Sequence, residues 1–448
     1  MAQLFQKYFL SERPTGVVIA DIDLNFNPKV SIERLKSHQF TRNEVIHFGT
    51  LIFFFSIAFF INPVNVFLKL MVVSLLITVL LIPFTSQFFL NALPILAWLA
   101  FFFTSTGIPP SYRPPISVKV LPAVETILYG DNLSQLLATS TSSFLDILAW
   151  LPYGIIHFSL PFVVAGLIFL WGPPTALRSF AFAFGYMNLI GVVIQIVFPA
   201  APPWYKILHG LDPANYSMLG SPGGLARIDT LLHLDLYTTN FSKNSPVVFG
   251  AFPSLHSGSA TMDALFLSWL FPKFTPLFVV YITWLWWSTM YLTHHYFIDL
   301  MAGSFLSFVV FQYTKYKHLP INDMNAKNRW SYSQIIKPNI YAMDPLSLAP
   351  EVDIENQISY SSQRAVNNVE LNVISRHSSG TSVVQGPNAI YNDSDSTSSP
   401  ALSVFETDDV PRSFSRASNN SNTSIESQFD MSIPIMPPNS SSSKSRMD

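Results

Sequence analysis

Two short segments carry the residue types that phosphoryl transfer needs: Phe252-Pro-Ser-Leu-His256 and His295-Tyr-Phe-Ile-Asp299. Each lies at the edge of a membrane-length apolar run, and two such runs, 256–272 and 275–293, separate the histidines. A helix rises about 1.5 Å per residue, so each run covers most of a hydrocarbon core. The out-and-back path predicts that His295 returns to the membrane face that holds His256. His295 and Asp299 are four apart, the spacing of one helical face. Phosphoryl transfer without a metal needs a nucleophile, a proton donor for the leaving alkoxide and positive potential around phosphate. Imidazole can attack phosphorus and form a phosphohistidine, and a carboxylate on its far nitrogen fixes the tautomer. His295 with Asp299 fits that pair. His256 fits the acid that protonates the leaving oxygen and then deprotonates the acceptor. Ser254, Ser257 and Gly258 open the following helix, where backbone N–H groups and the helix dipole favour an anion. The set calls for no metal and no cofactor.

The elements that must position these residues are membrane helices. Of 448 residues 49% are hydrophobic and 12% charged, with 39 Phe and 9 Trp concentrated in long runs. That composition predicts an all-α, polytopic membrane bundle of six to eight helices. A net charge near zero implies no nucleic-acid surface. The absence of cysteine excludes disulfides, thiolate catalysis and Cys-ligated zinc. Eight candidate spans are 46–62, 66–84, 88–104, 154–171, 179–198, 256–272, 275–293 and 297–314. The first lies behind six cations and reads as a retained signal anchor, and the first two could form a hairpin that does not fully cross. The chain divides into an N-terminal segment (1–45), the first spans with a long loop (46–153), a catalytic membrane core (154–318) and a tail (319–448). The tail is rich in Ser and Asn and poor in aromatics, so a disordered cytosolic segment is expected. The loops 105–153 and 199–255 are Pro- and Gly-rich yet apolar, and should cover the site.

Cations concentrate on the side of both termini, so the positive-inside rule places that side in the cytosol and the histidines in the lumen. Sequons at Asn132, Asn215 and Asn240 fall on the luminal side. Lys206, Arg227 and Lys243, also luminal, are candidates to bind phosphate. Asp263, one heptad after His256 and inside a span, reads equally as a functional carboxylate or as a bond between helices. Asn188 and Gln195 read as glue between helices. His294 reads as a packing residue, because adjacent histidines point about 100° apart on a helix and rarely share one ion.

Pro253-Ser-Leu-His256 and Ser288-Thr-Met-Tyr-Leu-Thr-His-His295-Tyr-Phe-Ile-Asp299 resemble the second and third signatures of the type-2 phosphatidic acid phosphatase superfamily. With Phe198-Pro-Ala-Ala-Pro-Pro-Trp-Tyr-Lys206, these segments also resemble the fungal inositol phosphorylceramide synthase catalytic subunits, over roughly residues 30–318. The resemblance implies transfer of phosphoinositol from phosphatidylinositol to ceramide with release of diacylglycerol, in the Golgi membrane, beside a small membrane-bound regulatory subunit. By motif position it implies His295 as nucleophile, Asp299 as its partner and His256 as acid and base.

Three departures matter. Thr106 stands where the superfamily's first signature has Lys ahead of Arg113-Pro114, Thr289 replaces an Arg, and Leu255 replaces a Gly. Fewer cations suit a phosphodiester, which carries less charge than a monoester. The rival readings are a lipid phosphatase using water as acceptor, a transporter with an intramembrane Asp and His path, and a scaffold recruited through its tail.

Overall fold

The computed structural model describes residues 2–11, 13–243 and 245–338. Among them the chain is helical, and β-type contacts are isolated bridges. Eight helices take up the eight apolar runs. They are α1 (Arg42–Ile61), α2 (Val66–Leu81), α3 (Pro83–Thr104), α4 (Ser143–Trp171), α5 (Ala176–Val197), α6 (Leu255–Leu270), α7 (Thr275–Tyr291) and α8 (Phe297–Lys317). Five of these, α1, α3, α4, α5 and α8, are long and apolar enough to cross a membrane. Helices α2, α6 and α7 have 16, 16 and 17 residues. That is about 24–26 Å, somewhat short of a ~30 Å hydrocarbon core. The chain is a multi-pass membrane protein.

Polar caps set the helix ends. Thr41 Oγ1 accepts from the Glu44 N–H, while the Glu44 carboxylate accepts from the Thr41 N–H at 2.9 Å, a capping box ahead of the first apolar run. Asn62-Pro63 stops α1. Asn65 caps α2 by accepting from the Phe67 N–H at 2.8 Å. Ser142 caps α4, accepting from the Leu145 N–H at 3.3 Å.

Helix α4 starts eleven residues before its expected span at 154. Pro152 and Gly154 suggest a loop, but a π-helical turn over Leu151–Ile156 absorbs them without ending the helix. Such wide turns keep the helix going where a proline removes a donor.

Helix α6 lies at the centre, packed by α4, α5, α7 and α8. Phe180, Met187, Met262, Phe266 and Phe311 fill the space between α5, α6 and α8. In lipid, close packing rather than release of water holds helices together, so small residues sit at the tightest crossing. There α6 meets α8 at Gly258 and Gly303, and a Cβ on Gly303 would collide with the Ser254 carbonyl oxygen.

The two long loops are laced together beside this bundle. Ser117 N–H donates to Pro199 O (2.8 Å), Ala201 N–H to Ser117 O (2.9 Å) and Ala200 N–H to Phe249 O (2.7 Å). Tyr296 is buried against Leu121, Ala200 and Ala251 under the lacing.

On the opposite face, the described chain continues past the composition shift at 319. Leu319, Trp330 and Tyr332 are buried. Trp330 meets the rings of Phe5 (5.1 Å), Phe9 (5.7 Å) and Phe169 (6.3 Å). Arg329 donates to Pro174 O (3.0 Å) and Ala20 O (3.2 Å), and burial brings its pKa down to about 10. A composition average hides this anchor, because a few aromatics carry it within a polar stretch. The Ser- and Asn-rich tail expected to be disordered lies, beyond 338, outside the described residues.

Candidate active site

Ser254 caps α6, its Oγ accepting from the Ser257 N–H at 3.3 Å, and so places His256 in the first turn. The Ser254 N–H donates to the Asp299 carbonyl at 3.0 Å, which ties this cap to α8. Asp299 lies in the first turn of α8, and its Oδ2 accepts from the Tyr296 N–H at 3.0 Å. Its Oδ1 lies 3.1 Å from His295 Nδ1, within ion-pair reach but bent away from a linear hydrogen bond. His295 Nε2 lies 2.9 Å from His256 Nδ1. Asp299, His295 and His256 therefore form one chain of contacts. His295 is not on α8, which begins at Phe297, so the pair does not share a helical face as the spacing suggested. The carboxylate instead reaches back over the first turn of α8 to the preceding residue.

That preceding turn is strained. Thr293 has φ +64°, a left-handed conformation that a β-branched residue adopts at a cost of about 1–3 kcal/mol. Neighbouring backbone holds it: Trp204 N–H donates to Thr293 O (2.9 Å) and Gly224 N–H to Leu292 O (2.9 Å). The Gly220–Gly224 loop thus buttresses the histidine turn. Gly223, at φ +52°, sits where a side chain would strike Thr293 Oγ1. His294 Nε2 pairs with Pro222 O at 3.0 Å. Burial, with His295 beside it, pushes His294 down to about 3, so the ring is neutral and Nε2–H is the donor.

Two aromatic neighbours had no signal in the signature motifs. The π-helical turn of α4 presents Tyr153, whose ring stacks on His256 (4.7 Å, 25°) and on His294 (5.4 Å, 20°). One turn on, the His157 ring lies 4.8 Å from that of His256. The available sign was a Tyr and a His four apart beside Pro152 and Gly154, residues that disturb a regular helix.

The phosphate-binding candidates are not brought together with the histidines. Ser257 Oγ donates to Leu300 O (2.7 Å) and accepts from Trp286 Nε1 (2.7 Å) inside the bundle. Gly258 N–H donates to Ser254 O at 3.0 Å, and its Cα faces α8. Ser254, Ser257 and Gly258 therefore join α6 to α8, and these N–H groups are already taken. Lys206 Nζ donates to Asn132 Oδ1. Arg227 pairs with Asp146 Oδ1 at 2.7 Å, and the Tyr291 hydroxyl shares that oxygen at 2.9 Å. The side chain of Lys243 lies outside the described residues. Arg113 is also spent: it donates to the carbonyls of Ile108, Ser105 and Thr106 and covers the Tyr216 ring at 4.9 Å.

The secondary readings resolve unevenly. Asn188 accepts from Ser259 at 3.3 Å and Gln195 donates to Pro253 O at 3.0 Å, so both join elements. Asp263 is buried, and its Oδ1 has no hydrogen-bond partner. Asn132 is buried too and donates to Pro122 O at 3.0 Å, whereas Asn215 and Asn240 are exposed.

Chemically, this geometry offers a nucleophilic nitrogen with a carboxylate behind it and an imidazole acid in front. A large cleft reaches this point, and His157, His256 and His295 are among the residues that line it.

Residues 120–313 match the PAP2 superfamily. The chain is 60% identical over 345 residues (77% of it, 73% of the relative) to an inositol phosphorylceramide synthase of Candida albicans. It is 56% identical over 359 residues (80% and 88%) to the catalytic subunit of inositol phosphorylceramide synthase of Saccharomyces cerevisiae. A phosphoinositol dihydroceramide synthase of Bacteroides thetaiotaomicron is 30% identical over 226 residues (44% and 68%). No solved structure gives a significant match. With matched signatures, a histidine pair backed by a carboxylate and relatives covered over most of their length, the chain belongs to the inositol phosphorylceramide synthase family, within the PAP2 superfamily.

Proposed function

We propose that this enzyme transfers phosphoinositol from phosphatidylinositol to the primary hydroxyl of ceramide, releasing diacylglycerol, in two displacements. The carrying observation is the Asp299–His295–His256 chain of contacts at 3.1 and 2.9 Å. In the first step His295 Nε2 attacks phosphorus. The P–N bond forms, the P–O bond to diacylglycerol breaks, and His256 gives its proton to the leaving oxygen. Asp299 Oδ1, 3.1 Å from His295 Nδ1, stabilises the cationic ring by its charge. In the second step His256 takes the ceramide hydroxyl proton, the alkoxide attacks phosphorus, and the P–N bond breaks. Water must stay out, or the intermediate would hydrolyse. The laced loops supply a cover.

A diester donor suits the charge around the site. Of the cations on this face, Lys206, Arg227 and Arg113 are engaged elsewhere, which also disfavours the rival phosphatase reading. We assign the histidine face to the lumen of the Golgi, on the distribution of cations and the resemblance. The small regulatory subunit implied by the resemblance is expected to co-purify with the tagged chain.

The test uses purified enzyme with phosphatidylinositol labelled in its head group and no ceramide. Wild type should take up acid-labile label and pass it to added ceramide, and His295→Ala should do neither. Label on His295→Ala protein would remove His295 as nucleophile. Release of free phosphoinositol to water, unaffected by ceramide, would favour the hydrolase.

A further inference from the structure

The face opposite the histidines carries a second concentration of charge. Helix α8 holds Asp299 at one end and Lys317 at the other, about 27 Å apart at ~1.5 Å per residue. At the Lys317 end, His318 follows α8, Arg178 lies in the first turn of α5, and His47 lies in the second turn of α1. The Phe182 ring of α5 joins the three helix ends: it lies 4.8 Å from the His318 ring and stacks on His47 at 5.7 Å and 28°. Arg178, Lys317 and Lys337 are within electrostatic reach of His318, and Arg178 is within reach of His47 too. All five are among the residues that line the cleft.

These cations lack a counter-charge. Among the described residues, Arg178, Lys317 and Lys337 make no ion pair and no hydrogen bond. The nearby acids are engaged: Glu44 closes the capping box of α1 and pairs with His38, and Asp23 pairs with Arg34. Arg178 is the telling member. A cation in the first turn of a helix opposes the macrodipole, which favours an anion there. Helix α5 also opens without a side-chain cap, so its end and Arg178 add positive potential in one place. Like charges brought together from four stretches of chain repel one another unless an anion completes the set. The positive-inside rule asks for cations on this side of the membrane, but not for their convergence on one spot.

The surroundings select the kind of anion. Below Lys317, the residues Tyr313, Val309 and Phe305 follow at intervals of four on α8, all exposed, and form an apolar stripe that runs into the bilayer. An occupant with phosphate at the cations and acyl chains along that stripe fits both parts. Three full positive charges exceed what a diester head balances, whereas a phosphomonoester carries about −1.5 to −2 near neutral pH. Basic pockets between membrane helices are suited to such head groups. We propose that this cluster binds the phosphomonoester head group of an anionic lipid in the leaflet opposite the histidines, the one assigned to the cytosol. The occupant ties the ends of α1, α5 and α8 to the segment that carries Lys337. The site is apart from the chemistry and does not depend on the donor or acceptor of the reaction.

The experiment measures the melting temperature of purified full-length enzyme with dioctanoyl phosphatidic acid, with dioctanoyl phosphatidylcholine and with inorganic phosphate. Phosphatidic acid should raise it by about 3 °C or more, and the other two by less than about 1 °C. The rise should vanish when Arg178→Ala is combined with Lys317→Ala, and persist in His295→Ala. A rise lost in His295→Ala would put the lipid in the active site and overturn the proposal. No rise in wild type, or a full rise in the double variant, overturns it as well. An equal rise with inorganic phosphate would overturn the lipid as occupant and leave a site for the free ion. If the double variant does not fold, Lys337→Glu, at an exposed side chain, takes its place and should remove most of the rise. Turnover enters none of these readings, so they stand or fall separately from the transferase.

Discussion

At the scale of residues, the site depends on rings that touch no reacting atom. Tyr153 lies between the imidazoles of His256 and His294, and stacking of this kind is worth about 0.5–1.5 kcal/mol per pair. Tyr153 is a positioning residue. Tyr153→Phe should keep turnover within about twofold, because the ring stays. Tyr153→Leu should lower kcat about tenfold or more with little change in KM and shift the pH profile of kcat, since His256 loses its stack. Equal loss in both variants would point to the hydroxyl instead. Glu125 offers a second residue-scale prediction. It lies on the surface helix Val120–Tyr129, accepts from the Phe297 N–H at 2.5 Å, and leaves Oε2 buried without a partner. Burial raises its pKa above the ordinary carboxylate value, against the lowering effect of the Phe297 bond, and Asp299 adds to the rise. A raised folded-state pKa means that folding binds a proton. The stabilising contribution is complete below the unfolded value and is lost as pH rises through the folded value. Glu125→Gln keeps an acceptor for Phe297, so its melting temperature should exceed that of wild type above neutral pH and converge with it in acid. The reverse order would refute the linkage. That His256, His295 and Asp299 would meet could be read from the two motifs and the apolar runs between them, whereas the carboxylate reaching back over a turn to His295 could not. Nor could Tyr153, because a π-turn changes which residues share a face.

At the scale of elements, the helices could be read and their pairing could not. Apolar runs gave eight helices at close to their positions, since length and hydropathy alone define them. The start of α4 was missed because Pro152 and Gly154 carry the local signature of a loop. The loop cations were misplaced for a different reason: charge identifies a side chain's capacity, while its partner depends on tertiary contacts. Arg227 illustrates this. Its guanidinium binds Asp146 on α4 and covers the Tyr291 ring at 5.3 Å, so it joins the loop helix Leu225–Leu232 to α4 and α7. About a third of the Arg227 side chain is exposed, so screening reduces the worth of the pair. Arg227→Ala should cost about 1–3 kcal/mol in stability, much of it from the unpaired Asp146 carboxylate. KM for phosphatidylinositol should stay within about twofold at a temperature where the variant is folded. A selective rise in that KM would restore Arg227 as a substrate ligand.

At the scale of the whole molecule, the two ends of the described chain close on each other away from the chemistry. Trp330 packs on Phe5 and Phe9 of the helix Ala2–Phe9 and on Phe169 near the end of α4, and Arg329 donates to Ala20 O and Pro174 O beside them. Composition marks the tail from 319, but packing extends through Tyr332. Removal of residues 339–448 should leave turnover and melting temperature nearly unchanged. Removal from 320 onward should lower the melting temperature by several degrees, as a buried Trp is worth about 3–5 kcal/mol. Equal behaviour of the two truncations would show that Trp330 contributes nothing.

The glycine contact between α6 and α8 has a mechanical consequence. Gly303 against the Ser254 carbonyl leaves no slack for these helices to slide, so His256 and Asp299 ride on one rigid jaw. Phosphate must nevertheless enter between imidazoles that touch at 2.9 Å. With α6 and α8 fixed against each other, room for it must come from rotation of the imidazole side chains. The chain has no native cysteine, so a single staple can be placed without competitors. Thr261→Cys with Ser304→Cys, at hydroxyls 2.5 Å apart, would lock α6 to α8. The oxidised staple should leave turnover intact, and loss of turnover restored by reductant would show that the rigid jaw moves after all.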